Sequence, residues 1–141
     1  VFVPFTGALN ALHDRLKKYW SVAVVDGSVT AGKRNKIFKD FQDEKDPHVI
    51  LAHPGTMAHG LTLTAASTII WYAPIPSNEF FQQANARIVR PSQTKTTNIV
   101  MLSGSQVEQK IYKTLKDRGK LQDLVLELAK GEKTVDNKKA M

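Results

Sequence analysis

Short apolar, β-branched runs alternate with helix-patterned segments along most of the chain, and that alternation leaves few folds open. VFVPF (1–5), VAVVD (22–26), HVILA (48–52), STIIWYA (67–73) and TTNIVML (96–102) read as strands, with Pro4 marking a bend or an edge. Between them, ALNALHDRLKKYW sets Leu9, Leu12, Leu16 and Trp20 on one helical face, and KRNKIFKDF turns Ile37, Phe38 and Phe41 inward. A helix is expected from Ser77 to about Val89. Another follows the capping-box pair Ser105 and Glu108, carries Val107, Ile111 and Leu115 on one side, and stops at Gly119. LQDLVLEL reads as a further short helix ahead of a polar tail expected to fray. Strands that are apolar throughout and separated by helices imply an α/β fold, a parallel sheet with helices on both faces. Ligands of such sheets lie beyond the carboxyl ends of the strands, which points to the loops at 6–7, 27–33, 53–60 and 74–77.

A chain of 141 residues with 42% hydrophobic content suffices for one domain with a real core. The expected boundaries are a domain over 1–128 and a tail over 129–141. No apolar run is long enough to span a membrane, and VFVPFTG lacks the segments of a signal peptide. With no cysteine there are no disulfides or thiolate metal sites, which fits a reducing interior. A net charge of +7 and a pI near 9.7 are compatible with a polyanionic partner and equally with a chain that is merely basic. Because Val1 falls inside an apolar run, the chain reads as a piece of a longer polypeptide.

Residues 27–34, GSVTAGKR, complete the frame G-x-x-x-x-G-K with Gly27, Gly32 and Lys33. A P-loop also needs a Ser or Thr next, to hold magnesium, and a separate strand ending in Asp. Position 34 is Arg, and the other strands run out at His53, Ala73 and Ser103; Asp26 ends the strand that feeds the loop itself. The segment is therefore read as a turn in which Gly27 and Gly32 relieve backbone strain while Lys33 and Arg34 face solvent.

QQANARIVRPSQ (82–93) says more. On a continuous helix Gln83, Arg87 and Arg90 stand at roughly 0°, 40° and −20°, a single polar stripe, with Pro91 loosening its end. Phe80, Phe81, Ala84 and Ile88 fill the adjoining sector. Two adjacent guanidiniums repel, and an anion would relieve them while accepting bidentate hydrogen bonds. On spacing alone a solvated face is the favoured reading. But Gln-x-x-x-Arg-x-x-Arg followed by Gln93 resembles motif VI of the superfamily-two helicases and translocases, and QQANAR…R…Q resembles the Swi/Snf-type branch, including small bacterial and phage members. VDGSVTAGKRNKIFKDFQ is similar to that family's "DG, Arg, aromatic helix" segment. LAHPGTMAHGLTLTAASTIIWYAP resembles motif V, and VFVPFTGALNALHDRL motif IV. The chain differs at Ser92, after Pro91, where Gly usually precedes the final Gln, at Thr62 where Asn is usual, and at Ala58 where Gly is common.

The resemblance implies the second of two RecA-like lobes, with the true P-loop and the magnesium-binding acidic motif on an N-terminal lobe outside this chain. It implies that ATP with Mg2+ lies between the lobes and is held mainly by the other one. Arg87 and Arg90 would reach the γ-phosphate, Gln83 would help orient that end, and Gly60 would let backbone pass close to the nucleotide. Thr6, Gly7, His53, Thr56 and His59 would touch the backbone of DNA. RNA is left open. An intracellular, monomeric motor fragment, inactive alone, is what such a lobe implies. A metal site at His53 and His59 is not expected, and Trp71 and Tyr72 read as strand packing. Lys17, Lys18, Lys110, Lys113 and Lys116 read as solvated. Two alternatives remain: a free-standing nucleotide binder using 27–33, and a basic adaptor for nucleic acid or protein.

Overall fold

The computed structural model describes residues 1–58 and 61–117. His59, Gly60, Gly119 and the LQDLVLEL segment lie outside the described residues, as does the 129–141 tail.

The strands are β1 (Val22–Val25), β2 (Val49–Ala52), β3 (Thr68–Trp71) and β4 (Asn98–Met101). β1 pairs parallel with β2, Val22 opposite Val49, and β3 pairs parallel with β4, Thr68 opposite Asn98. Residues 1–3 lie between the two pairs. Phe2 bridges Ala52 on one side and Trp71 on the other. Val3 N donates to Ala52 O at 2.9 Å, and Phe2 N donates to Ile70 O at 2.8 Å. The opening run is thus the central rung of an all-parallel sheet, though only Phe2 bridges and Pro4 turns the chain away.

Alternation along each strand divides the core. Val3 and Leu51, with Val22, Val24 and Val49 beside them, pack under Leu9, Leu12 and Leu16 of α1 (Thr6–Leu16). The opposite side, Phe2, Val25, Ile50, Ile69 and Trp71, packs under Phe38 of α2 (Ala31–Asp43), Phe81 and Ala84 of α3 (Asn78–Asn85), and Tyr112 and Leu115 of α4 (Gln106–Lys116). Helices therefore cover both faces, as the apolar runs require. On the α1 side of β3 and β4, Val100 and Leu102 remain 41% and 46% exposed.

Local chemistry sets the helix starts. Thr30, Ser77 and Ser105 each accept from the backbone N–H three residues on. Glu108 completes its box one position early, accepting from Gly104 N at 3.3 Å.

Four expectations change. α1 ends at Leu16, so Trp20 lies beyond it, 51% exposed, with Tyr19 packed against its ring. α2 begins at Ala31, which places Gly32, Lys33 and Arg34 in its first turn. No described glycine has positive φ, so Gly27 and Gly32 relieve no strain. Lys33 is exposed, but Arg34 is half-buried. α3 stops at Asn85, short of both arginines. A 3-10 helix over Pro54–Ala58 occupies the loop after β2, where no element was anticipated.

Candidate functional site

All strands run one way, so their carboxyl ends form one rim, from which the chain leaves at Phe5, Asp26, His53 and Tyr72. The described residues among those predicted for the site are each held differently.

Past α3 the chain continues as turns. Arg87 N bonds Ala84 O and Val89 N bonds Asn85 O, so the coil tightens and loosens within one turn. The common helical stripe of Gln83, Arg87 and Arg90 is therefore not realised. Tertiary bonds aim the arginines instead. Arg87 Nε donates to Met57 O at 2.8 Å, and Arg87 O accepts from Leu63 N at 2.8 Å. Arg90 Nη1 donates to Leu61 O at 3.2 Å and to the Thr62 hydroxyl. Both arginines are half-buried, the Arg87 side chain bonded to the 3-10 helix and that of Arg90 to the loop after it. Burial, and then the charge of Arg90, lower the Arg87 pKa from the ordinary guanidinium value. The Arg90 contribution is like-charge repulsion, which an anion between the two guanidiniums would relieve. Gln83 Nε2 donates to Glu79 Oε1 at 3.0 Å, while its Oε1 is buried and without a hydrogen-bond partner.

The loop from Leu61 to Ala66 is tied from three directions. Gln42 of α2 donates to Thr64 Oγ1 at 2.9 Å and accepts from Ala65 N at 2.8 Å. Gln93 Nε2 donates to Ala66 O at 2.8 Å and Ile88 O at 3.2 Å. Lys95 Nζ donates to Ala65 O at 3.3 Å, and the arginine bonds hold the other end. Gln42 escaped sequence reasoning because its partners lie 22 and 23 positions away, with no local spacing to reveal them. Gln93 was visible only as the end of a motif.

On the neighbouring rim positions, Thr6 and Gly7 open α1 and are exposed, and no side chain caps that helix. Its first amide groups therefore face outward, a setting that suits a phosphate. His53 continues the ladder, donating its N–H to Val25 O, and its Nδ1 accepts from Gly55 N at 3.1 Å. That bond puts the proton of a neutral ring on Nε2. Thr56 is different from the expectation: 8% exposed, its hydroxyl donates to His53 O at 2.7 Å. It lies under the loop and holds it. Trp71 is fully buried between Phe2 and Phe81, ring centroids 4.8 Å away in each case, and its Nε1 donates to Asn85 Oδ1 at 3.0 Å. Tyr72 is partly exposed.

At 27–30, Asp26 Oδ1 accepts from Ser28 N at 2.9 Å and from its hydroxyl, which holds the carboxyl below the usual range. Thr30 Oγ1 takes Lys33 N. The turn is closed on itself. Among the described residues no three His, Asp or Glu side chains gather as metal ligands, and no helix is long and apolar enough to cross a membrane. The groups around the arginine pair are guanidiniums and backbone carbonyls. The guanidiniums, as donors, match phosphate oxygens, and the carbonyls serve as their anchors.

A parallel sheet covered on both faces, with paired arginines on the turn after α3, is a RecA-like helicase C-terminal lobe. Solved structures agree: the C-terminal part of the Fun30 ATPase domain superposes with a TM-score of 0.70 at 25% identity, over 79% of this chain and 36% of that one. S. cerevisiae Dbp5 bound to RNA and ADP BeF3 gives 0.67 at 17% identity over 82% of this chain and 30% of that one, a likeness of fold. Residues 1–92 match the family described as helicase conserved C-terminal domain. The chain belongs to that family, in the Swi/Snf-type branch of superfamily two. It is 31% identical over 128 residues to the chromatin-remodeling ATPase INO80 of Arabidopsis thaliana, covering 89% of this chain and 8% of that protein. It is 33% identical over 112 residues to the ATP-dependent DNA helicase DDM1 of the same plant, covering 78% of this chain and 15% of that protein. The chain thus spans a small part of these relatives.

Proposed function

We propose that this chain is the C-terminal motor lobe of an ATP-dependent DNA helicase or translocase, completing an ATP site built mainly by an N-terminal RecA-like lobe. The observation that carries this is the arginine pair. Two guanidiniums sit on one turn of the rim, anchored to the carbonyls of Met57 and Leu61. A guanidinium is a planar fork of five donors, so anchoring that fixes its plane also fixes the direction from which an anion can meet it. In the assembled enzyme Arg87 and Arg90 stabilise the charge that develops on the transferring phosphoryl group, and Gln83 orients that end of the site. Gly60 gives the nucleotide a backbone without a side chain in the way. Magnesium belongs to the other lobe, where carboxylates supply its ligands.

DNA lies along the neighbouring part of the rim. Thr6 and Gly7 offer the open amides of α1, and His53 and His59 offer ring N–H groups to phosphates. Such contacts position a strand without reading its sequence, as a motor requires. Thr56 supports this surface from below.

The test is turnover in the two-lobe protein. Arg90→Ala is expected to reduce ATP hydrolysis sharply while ATP binding stays close to wild type; unchanged hydrolysis would remove Arg90 from the mechanism. Lys33→Ala, in a titration with a fluorescent ATP analogue, separates the rival nucleotide-binding reading. Micromolar affinity that vanishes with Lys33 would favour the 27–33 loop. A basic adaptor predicts salt-sensitive DNA binding and no loss of hydrolysis when both arginines are removed.

A further inference from the structure

We infer that Gln42, which grips the same loop that anchors Arg90, is a positioning residue for Arg90. The loop between Leu61 and Ala66 has no helix or strand of its own, so its shape depends on side chains that grip it. Leu61 and Thr62 receive Arg90, and Leu63 N holds the Arg87 carbonyl. Of the next two residues, Thr64 accepts from Gln42 and Ala65 N donates to it, while Lys95 Nζ reaches only the Ala65 carbonyl, at 3.3 Å. Using donor and acceptor together fixes both the position and the orientation of that peptide. Gln42 lies in the last turn of α2, whose Phe38 is buried in the core, so the grip is mounted on a rigid element. Without Gln42 the loop keeps Leu63 in the core but loses the bonds that hold Thr64 and Ala65, and with them the fixed end from which Thr62 and Leu61 are placed. Arg90 then loses its anchor geometry. A displacement of about 1 Å in a group that must meet the transition state costs up to roughly a hundredfold in rate.

The inference rests on the proposed role of the arginine pair, so the experiment carries its own control. ATP hydrolysis is measured in the two-lobe protein for Gln42→Ala, Gln42→Leu, Gln42→Glu, Arg90→Ala and the Gln42→Ala/Arg90→Ala double variant. Rates are normalised to nucleotide-binding sites so that loss of folded protein does not count. Gln42→Ala and Gln42→Leu are expected to lower kcat roughly tenfold or more with KM for ATP little changed. Gln42→Glu accepts from both Ala65 N and the Thr64 hydroxyl, and should recover most of the rate. The double variant should be no slower than Arg90→Ala alone, because Gln42 acts through that arginine. Additive losses, or wild-type kcat in Gln42→Ala beside a slow Arg90→Ala, would overturn the inference and leave the arginine reading standing. Wild-type turnover in Arg90→Ala would overturn both.

Discussion

Trp71 ties the end of β3 to the end of α3, and cutting that tie has a calculable cost. The indole is fully buried and its Nε1 donates to Asn85 Oδ1, on the residue that closes α3 just ahead of Arg87. Trp71→Phe keeps an aromatic ring between Phe2 and Phe81 but removes part of the buried volume and the N–H. The transfer and cavity loss is about 1–1.5 kcal/mol. The Asn85 carbonyl loses its partner, adding about 1–2 kcal/mol. Together the destabilisation is about 2–3.5 kcal/mol. Asn85→Ala, which strands the indole N–H, costs about 1–3 kcal/mol by the same reasoning. The double variant strands neither group. Its cost should therefore fall short of the sum of the singles by about 1–2 kcal/mol. Urea unfolding followed by circular dichroism reads the cycle without depending on tryptophan emission. Losses that add to within about 0.5 kcal/mol would show that the bond contributes nothing beyond packing, and the reasoning would fail.

In a chain whose amino group is on Val1, that group donates to Ile50 O at 2.7 Å, and burial pushes its pKa from 8.0 down to about 5. Between those values the unfolded chain binds the proton and the folded one does not, so stability rises as pH increases from 5 to 8, by on the order of 4 kcal/mol. Extending the chain upstream by one residue replaces the amine with an amide; urea midpoints at both pH values should then lose this slope, and an unchanged slope would refute it. Thr56→Val should destabilise by about 1 kcal/mol through the lost bond to His53 O and leave DNA affinity unaltered. A fall in affinity matching that of His53→Ala would put the hydroxyl on the DNA surface.

Much of the architecture was legible because parallel strands buried on both faces leave an unmistakable run of apolar residues, and Ser and Thr announce helix starts. The end of α3 was not. Pro91 warned of fraying at Arg90, but the helix gives way five residues earlier than Arg90, where Leu63 N and Met57 O compete for the Arg87 backbone and side chain. Trp20 fitted a helical period that continues in sequence beyond where the helix ends at Leu16. Thr56 looked like a phosphate ligand because hydroxyls on glycine-bearing loops often are; its burial is set by the 3-10 helix, which no local pattern announced. The arginine pair came from a motif, whereas its aim comes from a loop brought near by the fold.

ATP turnover by this chain alone, and by the same chain joined to an N-terminal RecA-like lobe, tests the central claim most directly. The chain alone should hydrolyse ATP negligibly, the joined protein should turn over, and removing Arg87 and Arg90 together should cost about 10³-fold or more. Substantial hydrolysis by the isolated chain, lost on Arg87→Ala, would contradict the account.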